Sequence, residues 1–241
     1  GKSPNIIFED ADIGKATVGA LAGIFAATGQ TCIAGSRLLV QRSVYDQVLN
    51  GLVERAKGIR LGNPLELETE MGTAANEPQF ERILSFIRSA KDCGAKLMTG
   101  GDAARQGELK DGLFVQPTIF ADVSNDMPVA REEIFGPVLS GIPFDTEEEA
   151  LTIANDTNFG LASGIWTQSL NRMHRVSSEL RAGMVWVNPY RAVAAQTPFG
   201  GVKDSGFGRE RGEEGMKEFL TTKNVMINLS EAERDPFAVQ T

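Results

Sequence analysis

Short apolar runs alternate along the chain with longer stretches in which apolar residues recur every three or four positions. "PNIIFE" (residues 4–9) reads as a strand, and Asp10 to Asp12 lead into a helix running to Ala26. After a glycine-bounded loop, "RLLVQ" (37–41) is a buried strand. Ser43 is placed to cap the next helix, where Val44, Val48 and Leu52 share a face flanked by Tyr45, Leu49 and Val53. A third helix begins at Asn76 or Glu77, carries Phe80, Ile83, Leu84 and Ile87 on one side, and stops at Gly94. "AKLMTGG" (95–101), "LFVQPTIF" (113–120) and "PVLSGIPF" (137–144) read as strands. Asp145 or Thr146 then caps the acidic helix "EEEALTIAN". "GLASGIWT" (160–167) and "MVWVN" (184–188) are strands on either side of a helix capped by Ser169. Strands and helices in this order predict an α/β fold, a three-layer α/β/α arrangement around a mainly parallel sheet. "KNVMINL" (223–229) is a lone strand with no helix behind it, so it needs a sheet edge elsewhere, such as another subunit's.

Composition narrows the partners. The 241 residues carry a net charge of −8 and no basic stripe, which argues against nucleic acid. The longest apolar stretch, "VGALAGIFAA", is too short to cross a membrane and reads as a buried helix. Two cysteines and one histidine, widely spaced, make neither a disulfide framework nor a clustered metal site. The opening residues form no secretory signal, and the cytoplasm is the expected compartment. Because the chain opens on Gly1, it reads as a piece or a processed form.

Several motifs mislead. "GKS" at residues 1–3 lacks the earlier glycine of a phosphate loop and is followed by Pro4. "GFGRERG" has its third glycine one place late for a dinucleotide fingerprint and no strand before it. His174 is a surface residue in mid-helix without neighbours to tune it, and Cys93, at a helix end, reads as packing. Cys32 in "GQTCIAGSR" is different, because small residues around it leave room for a carbonyl to approach. On local chemistry alone, however, it suits a packed small hydrophobe as well as a nucleophile.

"GKSPNIIFEDAD", "GQTCIAGSR", "REEIFGPV", "NFGLASGIWT", "VWVNPY" and "PFGGVKDSGFGRERG" occur in the order found in the NAD(P)-dependent aldehyde dehydrogenase superfamily. The chain resembles the C-terminal, catalytic half of such an enzyme from Gly1 to about Leu229. The resemblance implies an aldehyde dehydrogenase-like catalytic domain over residues 1–204 and a C-terminal segment over 205–241 that holds the oligomerisation strand 223–229. The family's N-terminal cofactor-binding domain has no counterpart here. It implies Cys32 as the nucleophile, passing through a thiohemiacetal and a thioester, with its main-chain N–H forming half of an oxyanion hole. Glu133 resembles the residue that binds the nicotinamide ribose, Phe135 a residue packed near the nicotinamide, and Gln79 another cofactor-side contact, the cofactor being NAD or NADP. Thr31, Ile33, Ala26, Val193 and Phe199 resemble the lining of a substrate tunnel, with Arg191 at its mouth. The resemblance further implies a small aldehyde substrate and a homo-oligomer. The family's water-activating glutamate precedes the position of Gly1, so the 241 residues alone are expected to be inactive. The alternative is a noncatalytic module that pairs through its C-terminal strand, with Cys32 as a relic.

Overall fold

Alternate residues of the central strands point to opposite sides of one sheet, and this two-residue period builds two separate cores. The computed structural model describes residues 1–229 and residue 237. Its main sheet has seven strands: β1 (Pro4–Ile7), β2 (Arg37–Gln41), β3 (Lys96–Thr99), β4 (Thr118–Ala121), β5 (Val138–Phe144), β7 (Ala162–Trp166) and β8 (Met184–Val187), in the order β3-β4-β5-β2-β1-β7-β8. Every pairing is parallel except β3 with β4. On one face Ile6, Leu39, Phe120 and Ile165 pack against α3 (Glu77–Asp92), α4 (Pro128–Arg131), α5 (Glu147–Asn155) and α6 (Leu170–Glu179). On the other, Ile7, Leu38, Val40 and Ile119 meet α1 (Ile13–Phe25) and α2 (Tyr45–Lys57). The three layers expected from the sequence are present.

Asp12, Asn76, Thr146 and Ser169 cap α1, α3, α5 and α6 through side-chain oxygens. Ser43 does not cap. Its hydroxyl donates to Glu9 (2.7 Å), because a short 3₁₀ turn over Arg42–Val44 intervenes before α2. "LFVQPTIF" forms a strand only over Thr118–Ala121, after Pro117, which has no N–H to donate to a ladder. "GLASGIWT" breaks in two, since β6 (Phe159–Gly160) leaves the main sheet to pair antiparallel with β9 (Val202–Lys203). Residues 223–229 form no strand among the described residues, although the outer edges of β3 and β8 are unpaired, and they are exposed. The C-terminal α7 (Gly212–Lys217) precedes them.

Arg37, fully buried in β2, was not singled out by sequence. Its guanidinium donates to the carbonyls of Lys2 (3.0 Å), Ile153 (2.8 Å) and Ala154 (2.8 Å) and to Asn125 Oδ1 (3.0 Å). Lys203 Nζ donates to Asn155 O (2.8 Å), so two cations close the carboxyl end of α5, where the helix dipole favours positive charge.

Candidate active site

Three segments converge at the amino-terminal ends of the parallel strands: residues 1–3 before β1, 26–36 before β2 and 132–137 before β5. The first two of those strands are hydrogen-bonded neighbours, and so are the last two, so the loops feeding them meet.

The loop before β2 is kinked where α1 ends. Ala27 and Thr28 have φ of 54° and 57°, followed by Gly29 at 67°. Left-handed backbone is costly for alanine and more so for a β-branched threonine, which marks a position held by its surroundings. Gly29 must be glycine, since a Cβ there would collide with the Gly136 carbonyl oxygen. The loop before β5 therefore packs directly on the loop that carries Cys32.

Other contacts fix the nucleophile loop. Gln30 accepts from Ala75 N (2.8 Å) and donates to Thr73 O (3.2 Å). The Tyr190 hydroxyl donates to Ile33 O (3.1 Å), and Ile33 is buried against Trp186 and Phe199. Thr31 is half-buried and its hydroxyl has no hydrogen-bond partner among the described residues. Cys32 itself is exposed.

Across from it, Phe135 is 37 % exposed with φ of 57°. Gln79 Nε2 donates to both Ile134 O (2.7 Å) and Phe135 O (2.8 Å), and Arg82 donates to Glu133 O (3.0 Å). Gln79 thus holds the turn that presents Glu133, rather than standing free toward a ligand. The Glu133 carboxylate is 36 % exposed and pairs with the α-amino group of Gly1. A Cβ on Gly1 would lie 2.7 Å from Cys32 O and 3.9 Å from Glu133 Oε1, so Gly1 bridges the two loops.

Of the five residues expected to line one tunnel, three divide between two hollows, and Thr31 and Ile33 line neither. Val193 and Phe199 line a cavity of about 470 Å³ whose wall includes Trp186. Ala26 faces a groove of about 400 Å³ between α1 and α2. Arg191 lines neither hollow. Its Nη1 is aimed at Ala22 O (3.3 Å) and Ala26 O (3.4 Å), closing the carboxyl end of α1. His174 is exposed on α6. Cys93 is exposed rather than packed, because it falls out of phase with Phe80, Ile83, Leu84, Ile87 and Ala90, the buried face of α3.

Tyr190 and Lys2 were also not anticipated. The Tyr190 ring is seated against Gly23, Gly35 and Gly164, and burial pushes its hydroxyl pKa up. Lys2 Nζ is buried without a hydrogen-bond partner among the described residues, and its pKa is lowered to about 7, first by desolvation and then by Arg37, with Glu132 opposing. No group of three or more His, Cys, Asp or Glu residues suited to a metal occurs among the described residues, and no helix among them is long and apolar enough to cross a membrane.

A betaine aldehyde dehydrogenase of Cereibacter sphaeroides is 44 % identical over 229 residues, which are 95 % of this chain and 47 % of that protein. An aldehyde dehydrogenase of Emericella nidulans is 46 % identical over 96 % of this chain and 46 % of its own length. The structure superposes on betaine aldehyde dehydrogenase from Staphylococcus aureus in complex with NAD+ with a TM-score of 0.96 at 41 % identity, covering 99 % of this chain and 47 % of that one. For an aldehyde dehydrogenase from Bacillus cereus the TM-score is 0.92 at 45 % identity, covering 95 % and 46 %. The chain spans about half the length of the curated relatives it matches. The model of the aldehyde dehydrogenase family matches residues 1–225, and with relatives of this similarity the chain belongs to that family.

Proposed function

We propose that this chain supplies the nucleophile and part of the cofactor-facing surface of an enzyme that oxidises an aldehyde to a carboxylic acid with NAD or NADP. The observation that carries the reading is the packing of two strained loops, Gly29 on Gly136, with exposed Cys32 on one and Glu133 and Phe135 on the other. Strain maintained in two abutting surface loops is characteristic of a reactive site.

In this reading the Cys32 thiolate adds to the aldehyde carbon, and the Cys32 main-chain N–H donates to the oxyanion. NAD or NADP, when bound, supplies the hydride acceptor. Loss of hydride from the tetrahedral adduct leaves a thioester on Cys32. Water attacking that carbonyl releases the acid and returns the thiol. The Glu133 carboxylate suits a ribose diol, since it accepts two hydrogen bonds and is 36 % exposed. Phe135 offers an exposed apolar face for the nicotinamide end, and Gln79 positions both by fixing the turn. Thr31, Ile33, Val193 and Phe199 form the aldehyde side, with Ala26 at its margin. The NAD+ complex among the structural neighbours supports the choice of cofactor.

Residues 223–229 are the expected pairing strand of a homo-oligomer. Val225, Met226, Ile227 and Leu229 are between 68 % and 90 % exposed, which favours a partner sheet edge. The same exposure favours a second reading, a noncatalytic pairing module. Hydrolysis of a chromogenic activated ester separates the two without any cofactor. The chain is expected to turn the ester over faster than its Cys32→Ser variant, and equal rates would reject the nucleophile.

A further inference from the structure

Gln30, two residues before Cys32, reaches away from its own loop to the segment that leads into α3. Its side chain accepts from Ala75 N (2.8 Å) and donates to Thr73 O (3.2 Å), so both ends of the amide are engaged by one short stretch of backbone. That stretch is itself anchored. Ala74 is buried and its N–H donates to Leu113 O (2.9 Å), while Asn76 Oδ1 accepts from Gln79 N (2.9 Å) and starts the helix.

The same end of α3 grips the other loop. Gln79, Arg82 and Ile83 stand three and four positions apart, the spacing that puts side chains on one helix face. Gln79 Nε2 donates to Ile134 O (2.7 Å) and Phe135 O (2.8 Å), and Arg82 donates to Glu133 O (3.0 Å). Ile83 packs on Gly136, where a Cβ would lie 2.5 Å from Ile83 Cγ1. Residues 133–136 are thus met in succession by one stretch of helix, and the burial of Phe80 and Ile83 in the core keeps that stretch from shifting. The contact of Gly29 with Gly136 limits how closely the two loops approach, but it does not stop them from separating. Hydrogen bonds to a common rigid element do.

We propose that the amino end of α3 is the tether that holds Cys32 at a fixed distance from Glu133 and Phe135, with Gln30 as a positioning residue for the nucleophile. The proposal rests on the reading of Cys32 as the nucleophile and of residues 133–135 as the cofactor side. The two loops then loosen together, although each is tied to α3 by its own hydrogen bonds.

Hydrogen exchange followed by mass spectrometry tests this on the parent, Gln30→Ala, Gln79→Ala and the double variant. Gln30→Ala should speed exchange about fivefold in residues 132–137 as well as in its own loop, and Gln79→Ala should do the same in residues 29–34, the worth of one net hydrogen bond. In the Gln79→Ala background the Gln30 substitution should add little at 132–137, as groups acting through one element require. Gln30→Glu keeps an acceptor for Ala75 N and loses the donor to Thr73 O, so it should fall between the parent and Gln30→Ala. Additive effects, or effects confined to the substituted loop, would overturn the tether. Alkylation by iodoacetamide reads the positioning role. The rate at Cys32 relative to Cys93, which lies at the far end of the same helix, should fall about threefold in Gln30→Ala, and an unchanged ratio would overturn that role. Equal rates of the two thiols in the parent would instead defeat the nucleophile reading, and the exchange coupling would then decide the tether alone.

Discussion

Replacing Tyr190 by Phe removes one oxygen and leaves the ring in place. That ring fills a seat made by three glycines: a Cβ on Gly23 or Gly35 would lie 3.0 Å from it, and one on Gly164 would overlap it. The lost hydroxyl is the donor to Ile33 O, one residue beyond Cys32. Leaving a buried carbonyl without a donor costs about 1–3 kcal/mol, so Tyr190→Phe should destabilise by about 2 kcal/mol and lower the melting temperature by about 5 °C. Tyr190→Ala removes the ring as well and should cost about 4 kcal/mol, in the range of large-to-small core replacements. The cradle predicts a coupling besides. Gly164→Ala should cost about 2 kcal/mol with Tyr190 present and less in the Tyr190→Ala background, where the ring contacts are gone and Asn5 Oδ1, 2.9 Å away, still presses on the added methyl. Urea denaturation followed by circular dichroism measures all five chains, the parent included. Tyr190→Phe within 0.5 kcal/mol of the parent, or Gly164→Ala equally costly in both backgrounds, would refute the idea that this residue anchors the nucleophile loop.

Gly29→Ala should separate the two loops and destabilise by about 3 kcal/mol, combining the left-handed backbone with the collision at Gly136, as urea denaturation would register. Lys2 links stability to pH with a definite sign. Its folded pKa is about 7 against 10.5 in the unfolded chain, so unfolding takes up a proton between those values and stability rises with pH. The gain should be about 2 kcal/mol from pH 7 to pH 9, fading below pH 7 where both states are charged, and Lys2→Met should flatten it in paired melting curves. Deleting residues 223–229 should convert an oligomer to monomer in light scattering, whereas an unchanged mass would remove the pairing strand.

Most of the layer architecture was legible because it depends on local periodicity and caps. Asn76, Thr146 and Ser169 cap helices where the sequence puts them, and the buried faces of α2 and α3 follow the spacing of Val48, Leu52, Phe80 and Ile87. What sequence did not carry was contact between distant segments. Ser43 looked like a cap until a 3₁₀ turn drew it to Glu9. Arg191 resembled a tunnel charge by neighbourhood in the chain, yet its guanidinium closes α1, more than 160 residues away. Gln79 carried the right neighbourhood and a different first duty, holding the turn of Ile134 and Phe135. Arg37 gave no local signal at all, since a charged residue inside an apolar strand is intelligible only once the end of α5 arrives beside it. The packing of Gly29 on Gly136 is likewise set by the strand order β5-β2-β1, which no local pattern encodes.

The central claim, that the sulfur of residue 32 stands ready at the meeting of two loops, is tested most directly by alkylating the folded chain with iodoacetamide near neutral pH and following both cysteines by mass spectrometry. Both thiols are exposed, so accessibility alone does not separate them. The account predicts that Cys32 is consumed clearly faster than Cys93, and that the difference disappears in urea. Equal rates in the folded chain, or a slower Cys32, would contradict it.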